Sequence, residues 1–387
     1  MERPWLSVIV PSHNGERWLA AALQSVAIQQ DDGIEVIVID ASKTDASLKI
    51  ADSFSDKLRI EAHSRSDLLP WTAKTNFGVE QARGDRICML HQDDLWLPTR
   101  CGEIRKWLST QSDAVMHLHP CYIVDEAGER LGLWRCPLPA GESPVPAYTL
   151  IERLLVQNFV GIPAPTIRRD AFLGVGGLDN ALWYTADWDL YLKLAATGSV
   201  YYHSSPLACF RVHKGSLTVS GSRNSTDFRN QHQIIVDRHA DNLSPQAKAT
   251  ILPIAAASFD LNTALAAAMD GQFTQIGKAL VSILMLGPRR IRRYLHYSRI
   301  VDRVLPVCAL SSPGGFEPMR PTPPIRGSGG PRGESPRALE IFHAKEPATE
   351  THRNGRRSYH LESIQSACSM TPASSNDQTQ RVNAGRA

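Results

Sequence analysis

Hydrophobic and polar positions along the first hundred residues switch between two periods. Leu6 to Val10 is a short apolar run stopped by Pro11 and reads as a strand. Arg17 to Gln29 carries Leu19, Leu23 and Val26 at helical spacing. Glu35 to Ile39 reads as a second buried strand, Asp45 to Phe54 as a helix, and Leu58 to Ala62 as a weaker strand. Ala73 to Ala82 predicts a helix, and Arg83-Gly84-Asp85 turns the chain into a fourth apolar run, Ile87 to Leu90. Strands alternating with helices imply βαβ units and a mainly parallel sheet. Apolar strands without clean alternation fit a sheet covered on both faces.

The pattern changes after residue 114. Ala114 to Leu118, Cys121 to Val124 and Arg130 to Trp134 predict short strands, with Asp125-Glu126-Ala127-Gly128 as a hairpin turn between two of them. A Pro-rich loop (137–146) precedes a helix at Thr149 to Gln157 and a strand at Ala164 to Arg168. Gly176-Gly177 breaks the chain before a helix at Trp188 to Thr197, and Val200 to His203 and Leu207 to Val212 return as strands. From 226 the chain reads as helical, Ala-rich at 254–269 and 274–286. From 306 it is rich in Pro, Gly, Ser and Arg, too poor in apolar clusters to offset chain entropy. The expected organisation is an α/β domain over 1–225, a helical extension over 226–305 and a disordered tail over 306–387.

Composition narrows the class. The chain has 387 residues, 42% hydrophobic and 21% charged, which is globular. A net charge of +3 gives no argument for nucleic acid. The seven cysteines form no CxxC pair, which disfavours a zinc ribbon or a thioredoxin-type site. Their odd number and scattered spacing point to a reducing compartment, with Cys88 and Cys209 as buried packing residues. The N-terminus enters a strand without a charged leader, and no run reaches about 18 uninterrupted apolar residues. Neither a signal peptide nor a transmembrane helix is expected, which places the chain in the cytoplasm.

The most informative stretch is MLHQDDLWLP, 89–98, where an apolar strand ends in two adjacent acids, Asp93 and Asp94. Open α/β sheets bind ligands at the carboxyl ends of their strands. Two carboxylates there suit a divalent cation carrying a phosphate-bearing substrate, because hard cations prefer oxygen. A solvated turn whose acids cap the next helix is the competing reading.

Other pieces stand in register with it: SVIVPSHNGERWLAAALQSVAIQQ, EVIVIDASKTDAS, AKTNFGVEQARGDRICMLHQDDLWLP, VGGLDNALWYTADWDLYLKLAATG and FRVHKGSLTVS. In this order and spacing, over residues 5–220, the chain resembles the family-two glycosyltransferases with the GT-A fold. The resemblance implies an inverting transfer from a nucleotide-sugar donor to an acceptor hydroxyl. It puts Pro11, His13 and Asn14 where the first strand meets the nucleotide, and Asp40 at the nucleoside. Asp45 falls to an N-cap. Asp94 becomes the metal ligand, for Mg or Mn, and Asp93 contacts ribose or supports the site. Asp187 becomes the base that deprotonates the acceptor, with Asp189 favoured by the helix dipole and Trp188 packed beneath. Arg211 is assigned to the donor, His213 to metal or diphosphate, and Lys214 to diphosphate or solvent. Gly176 and Gly177 let the backbone pass close to sugar or acceptor, or simply turn. Residues 215–226 are the candidate closing loop. The chain departs from the pattern at Ala41, His91 and Ala186, each where relatives often carry an acid.

GPRRIRRYLHYSRIVDRVL, 287–305, sets arginines among apolar residues. It reads either as a peripheral contact with the inner face of the plasma membrane or as a solvated helix packed on the domain. The membrane reading suits a lipid-linked or cell-surface glycan acceptor. No recognition module accompanies the charge, so nucleic acid is not an expected partner. Two rivals stay open: a nucleotidyltransferase on a related fold, and a catalytically silent member that binds nucleotide or scaffolds a partner. A dinucleotide oxidoreductase is disfavoured, since no GxGxxG follows the first strand.

Overall fold

The computed structural model describes residues 2–304, apart from Lys214, residues 217–224 and Asp270. The expected alternation forms: β1 (Leu6–Ser12), α1 (Leu19–Ala27), β2 (Ile34–Asp40), α2 (Ala46–Asp52), β3 (Arg59–Ser64), α3 (Trp71–Gln81) and β4 (Arg86–Met89). β1 lies between β2 and β4, parallel to both, with Leu6 opposite Ile34 on one side and Arg86 on the other. Every residue of these three strands is buried, as a sheet covered on both faces requires. β1 runs past its predicted end. Pro11 lies opposite Ile39, but β4 pairs with β1 only through Ile9, so the proline sits where the strand has lost one neighbour.

The second half adds β5 (Leu95–Trp96), α4 (Arg100–Thr110), β6 (Met116–Leu118), β7 (Cys121–Val124), β8 (Arg130–Trp134), α5 (Ala147–Val156), β9 (Thr166–Arg168), α6 (Arg169–Gly174), α7 (Ala186–Ala195), β10 (Val200–Tyr202) and β11 (Ala208–Arg211). The main sheet has seven strands in the order β10-β6-β9-β4-β1-β2-β3. β9 runs antiparallel to both β4 and β6, so the sheet is mixed rather than uniformly parallel. A second sheet, β5-β11-β7-β8, contains the predicted hairpin, whose turn is held by Asp125 Oδ1 accepting the N–H groups of Ala127 and Glu129 at 2.9 Å each. β5, α4 and α6 have no counterpart among the predicted elements. α4 buries only Arg100, Cys101 and Ile104, and one of those three is a charge, so its apolar period is faint. Arg100 instead lies 4.6 Å over the Trp96 ring, donates to the Ala164 carbonyl at 3.1 Å and meets the His119 ring.

Four helices follow: α8 (Ser225–His239), α9 (Pro245–Met269), α10 (Thr274–Met285) and α11 (Gly287–Ser298). They do not form a separate extension. Ile251, Ile254 and Phe259 of α9 join the same core as Leu154 of α5 and Trp188 and Tyr191 of α7. Each such side chain, fully buried, contributes about 1.5–3 kcal/mol. α9 is, by length and composition, long and apolar enough to cross a membrane, although 56% of its apolar window is buried inside the fold. It also accepts a polar seam: Gln157 Oε1 receives Asn262 Nδ2 at 2.7 Å and Ser258 Oγ at 3.3 Å. The predicted tail, 306–387, lies outside the described residues, as do Lys214 and most of the 215–226 loop.

Gly78 fixes how closely α3 approaches the sheet. A Cβ there would sit 2.6 Å from side-chain carbons of both Ile9 and Ile39. One turn earlier, on the same helix face, Lys74 is thereby brought to the strand ends.

Candidate active site

Because β2, β1 and β4 are adjacent and parallel, the loops at their carboxyl ends lie side by side. Main-chain and side-chain hydrogen bonds lock them together. His13 N–H donates to Gln92 Oε1 at 2.8 Å, and Gln92 Nε2 returns a bond to the His13 carbonyl at 3.2 Å. Asn14, in the left-handed region at φ 50°, donates its N–H to Ser42 Oγ at 2.7 Å. Asp40 is buried and holds the same turn by accepting Ser42 Oγ at 2.8 Å and Ser42 N–H at 3.3 Å. His13 and Asn14 are exposed at the loop, whereas Pro11 is buried within β1 behind them. Ala41 is buried, and its carbonyl lies 3.1 Å from His13 Nδ1. Asp45 takes the N-cap position of α2 without a capping hydrogen bond; its carboxylate pairs with Lys49 Nζ at 3.0 Å.

Lys74 is a buried cation at this edge. Its Nζ donates to the Ser12 carbonyl at 2.9 Å. Burial lowers the ammonium to about 8, with the charge of Asp40 pulling the other way.

The acid turn follows β4. Asp94 is buried, and its Oδ1 accepts the backbone N–H of Arg211 at 2.9 Å. Burial and the adjacent Asp93 push its carboxyl well above the usual range. Asp93 goes the other way: burial opposes its charge, but the His213 hydrogen bond and the charges of His91 and His213 bring it below the usual value. Nε2 of His213 is 2.9 Å from Asp93 Oδ2. Among the described residues, one ligand atom each from His91, Asp93 and Asp94 lies within 4.8 Å of the others. Asp94 Oδ2 and His91 Nε2 are both buried without a hydrogen-bond partner. Burial holds His91 below its usual range, with the charge of Asp93 pulling the other way. Two carboxylates and an imidazole, two of the three with an unpartnered buried ligand atom, fit a divalent cation.

Arg211 braces this turn. Its Nε donates to the Asp93 carbonyl at 2.8 Å, and its Nη1 to the carbonyls of Asp125 at 2.8 Å and Glu126 at 3.0 Å. Its guanidinium lies 4.5 Å over Trp18, whose ring centroid is 5.7 Å from that of His213. The arginine expected at the donor thus donates to three main-chain carbonyls.

Asp187 opens α7. Asn158 Nδ2 donates to its Oδ2 at 3.0 Å. Burial pushes the carboxyl up to about 6, against the Trp188 N–H and the Asn158 amide, which hold it down. Trp188 packs beneath as expected, with Nε1 donating to the Leu154 carbonyl at 2.8 Å. Asp189, two residues on, is buried on the other side. Burial alone would raise it, but His239 and Lys193, each at 2.9 Å, bring it down to about 2. Trp71 touches both the His91 ring and the segment that leads into α7. Its ring meets His91 edge-on at 5.2 Å, and its Nε1 donates to the Trp183 carbonyl at 2.8 Å. The Gly176-Gly177 break is a turn packed on α3: at Gly177, φ 65°, a Cβ would lie 2.7 Å from Asn76 Oδ1.

Lys74, Gln92, Asn158 and Trp71 were not singled out from the sequence. Lys74 had a signal, a charge at helical spacing on the inner face of α3. Asn158 had none, since only folding sets it beside Asp187.

A mixed sheet of this strand order, with an acid turn at its edge, has the fold of the GT-A glycosyltransferases. Residues 7–173 match the model for "Glycosyl transferase family 2". A Haemophilus influenzae protein described as an uncharacterized glycosyltransferase is 27% identical over 252 residues, covering 62% of this chain and 81% of that protein. A Rickettsia typhi protein of like description is 24% identical over 218 residues, 56% of this chain and 66% of its own length. Crystal structures of Staphylococcus aureus TarS 1–349, alone and with UDP-GlcNAc, superpose with TM-scores of 0.51 and 0.50 at 19% and 18% identity, each over 78% of this chain and 88% of that one. At that identity the likeness is one of fold.

Proposed function

We propose that the chain is an inverting glycosyltransferase that moves a sugar from a nucleotide-sugar donor to a hydroxyl of a cell-surface or extracellular glycan, or of its lipid-linked precursor. The observation that carries this reading is Asp187: a carboxylate raised to about 6 and held by Asn158, in the segment whose Trp183 carbonyl is bonded by Trp71, a ring that also meets His91. At neutral pH it is ionised yet basic enough to take a proton, the balance a general base needs. Deprotonation of the acceptor hydroxyl as it attacks the anomeric carbon, with departure of the nucleoside diphosphate from the opposite face, inverts that centre in a single displacement. His13, Asn14 and Asp40 form the nucleoside end. Asp94, Asp93 and His91 would hold the divalent cation, with His213 bonded to Asp93 behind them. When bound, the cation offsets charge on the diphosphate leaving group. Lys74, low enough to lose its proton above about 8, adds a positive charge beside Asp40 at neutral pH. On this reading the chain works in the cytoplasm, in keeping with the five free, buried cysteines among the described residues.

The test measures donor hydrolysis and transfer with and without Mn or Mg, and follows product anomeric configuration by NMR. The reading predicts metal-dependent turnover with inversion. If Asp187→Asn and Asp94→Ala both match the parent, the chain is no such enzyme.

A further inference from the structure

We propose that α10 and α11 together form a docking face for an anionic lipid bilayer. The starting observation is on α10, not on the arginine-rich segment noted in the sequence. Ile276, Ala279 and Ile283 turn inward to the core. The opposite side of a surface helix should be polar. Here the outward positions include Phe273, Leu280, Val281, Leu284 and Met285, each between 50% and 81% exposed. A continuous apolar face of that kind marks an interaction site. Gly287, at φ 74°, turns the chain directly into α11. There Arg289, Arg292, Arg293 and His296 recur at intervals of three and four and are all exposed. Among the described residues none of these three arginines forms an ion pair.

Charge selects the occupant. Residues 271–299 hold six Lys and Arg and no Asp or Glu, giving +6 in a chain whose total is +3. An apolar stripe flanked by unpaired arginines is the composition of a helix lying in the interface of an anionic bilayer. Residues 305–387 hold ten Lys and Arg against seven Asp and Glu, a net charge of the same sign as this face. A second copy would bring the same six charges against themselves. α10 has 12 residues, about 18 Å of helix, which is too short for a hydrocarbon core of about 30 Å. It lies on the membrane and does not cross it.

The test is flotation of the full chain with phosphatidylcholine vesicles, with and without phosphatidylglycerol. The parent should float only with the anionic vesicles and be released by salt. Leu284→Glu with Met285→Glu, and separately Arg289→Glu with Arg292→Glu and Arg293→Glu, should each reduce vesicle binding by at least about tenfold. Melting temperature and nucleotide binding of both variants should match the parent, which separates this proposal from the catalytic one. Equal binding by parent and variants overturns it. So does a parent that stays in solution at low salt, or a dimer that Leu284→Glu dissolves.

Discussion

The two sides of the first turn of α7 show how one helix start can build chemistry and stability from the same residue type. Asp187 and Asp189 share the dipole of that turn, yet one is driven up to about 6 and the other down to about 2. The difference lies in partners. Asp187 has a neutral amide, Asn158, while Asp189 is gripped by Lys193 and His239, with Arg238 at 3.5 Å. Desolvation without a countercharge makes a base, and desolvation with one makes a strut. The dipole is common to both and cannot be what separates them.

The largest expected effect comes from the reactive side. Asp187→Asn should lower turnover by about 10²–10⁴-fold, measured with a nucleotide-sugar donor and a competent acceptor, because no group remains to take the proton. The same change on the other side should act on folding: Asp189→Asn should cost about 3 kcal/mol in urea unfolding, since Lys193 and His239 lose a buried partner, while nucleotide affinity is kept. Linkage gives opposite signs. Asp189 has a depressed value, so its contribution is present above about pH 4 and is lost as pH falls through about 2. Asp187 has a raised value, so the native state loses stability as pH climbs from about 4 through 6. Asp187→Asn should therefore raise stability at pH 7 by about 2 kcal/mol while removing activity, a combination that thermal unfolding beside the rate assay would reveal. The smallest effect concerns Asn158. Parent kcat/KM should fall below an apparent pKa of about 6, and Asn158→Leu, deleting a donor to the ionised form, should shift that limb upward by up to about one unit. A limb that stays fixed in Asn158→Leu would assign it to another group.

Much of the fold was legible because β1, β2 and β4 are unbroken apolar runs with turn residues between them. α4 was not, since Arg100 occupies an inner position with its charge resolved by Trp96 and the Ala164 carbonyl. The direction of β9 was not, since three residues carry no record of which neighbour they join. At the site, the acid turn was visible as Asp93-Asp94 after a buried strand. The resemblance separated Asp187 from Asp189, but the partner that claims Asp189 was not a matter of local pattern: His239 lies 50 residues further on. The bracing bonds of Arg211 were not legible for the same reason, its carbonyl acceptors coming from turns 85 to 118 residues earlier.

The bond from Asp94 to the Arg211 amide spans 117 residues and has a consequence for biosynthesis. Domains fold from the N-terminus as the ribosome extends them. A nascent chain that stops short of β11 has its nucleoside loops and both acids, but not the edge that braces them. Such a product lacks both the clamp and the α9 side chains that complete the core.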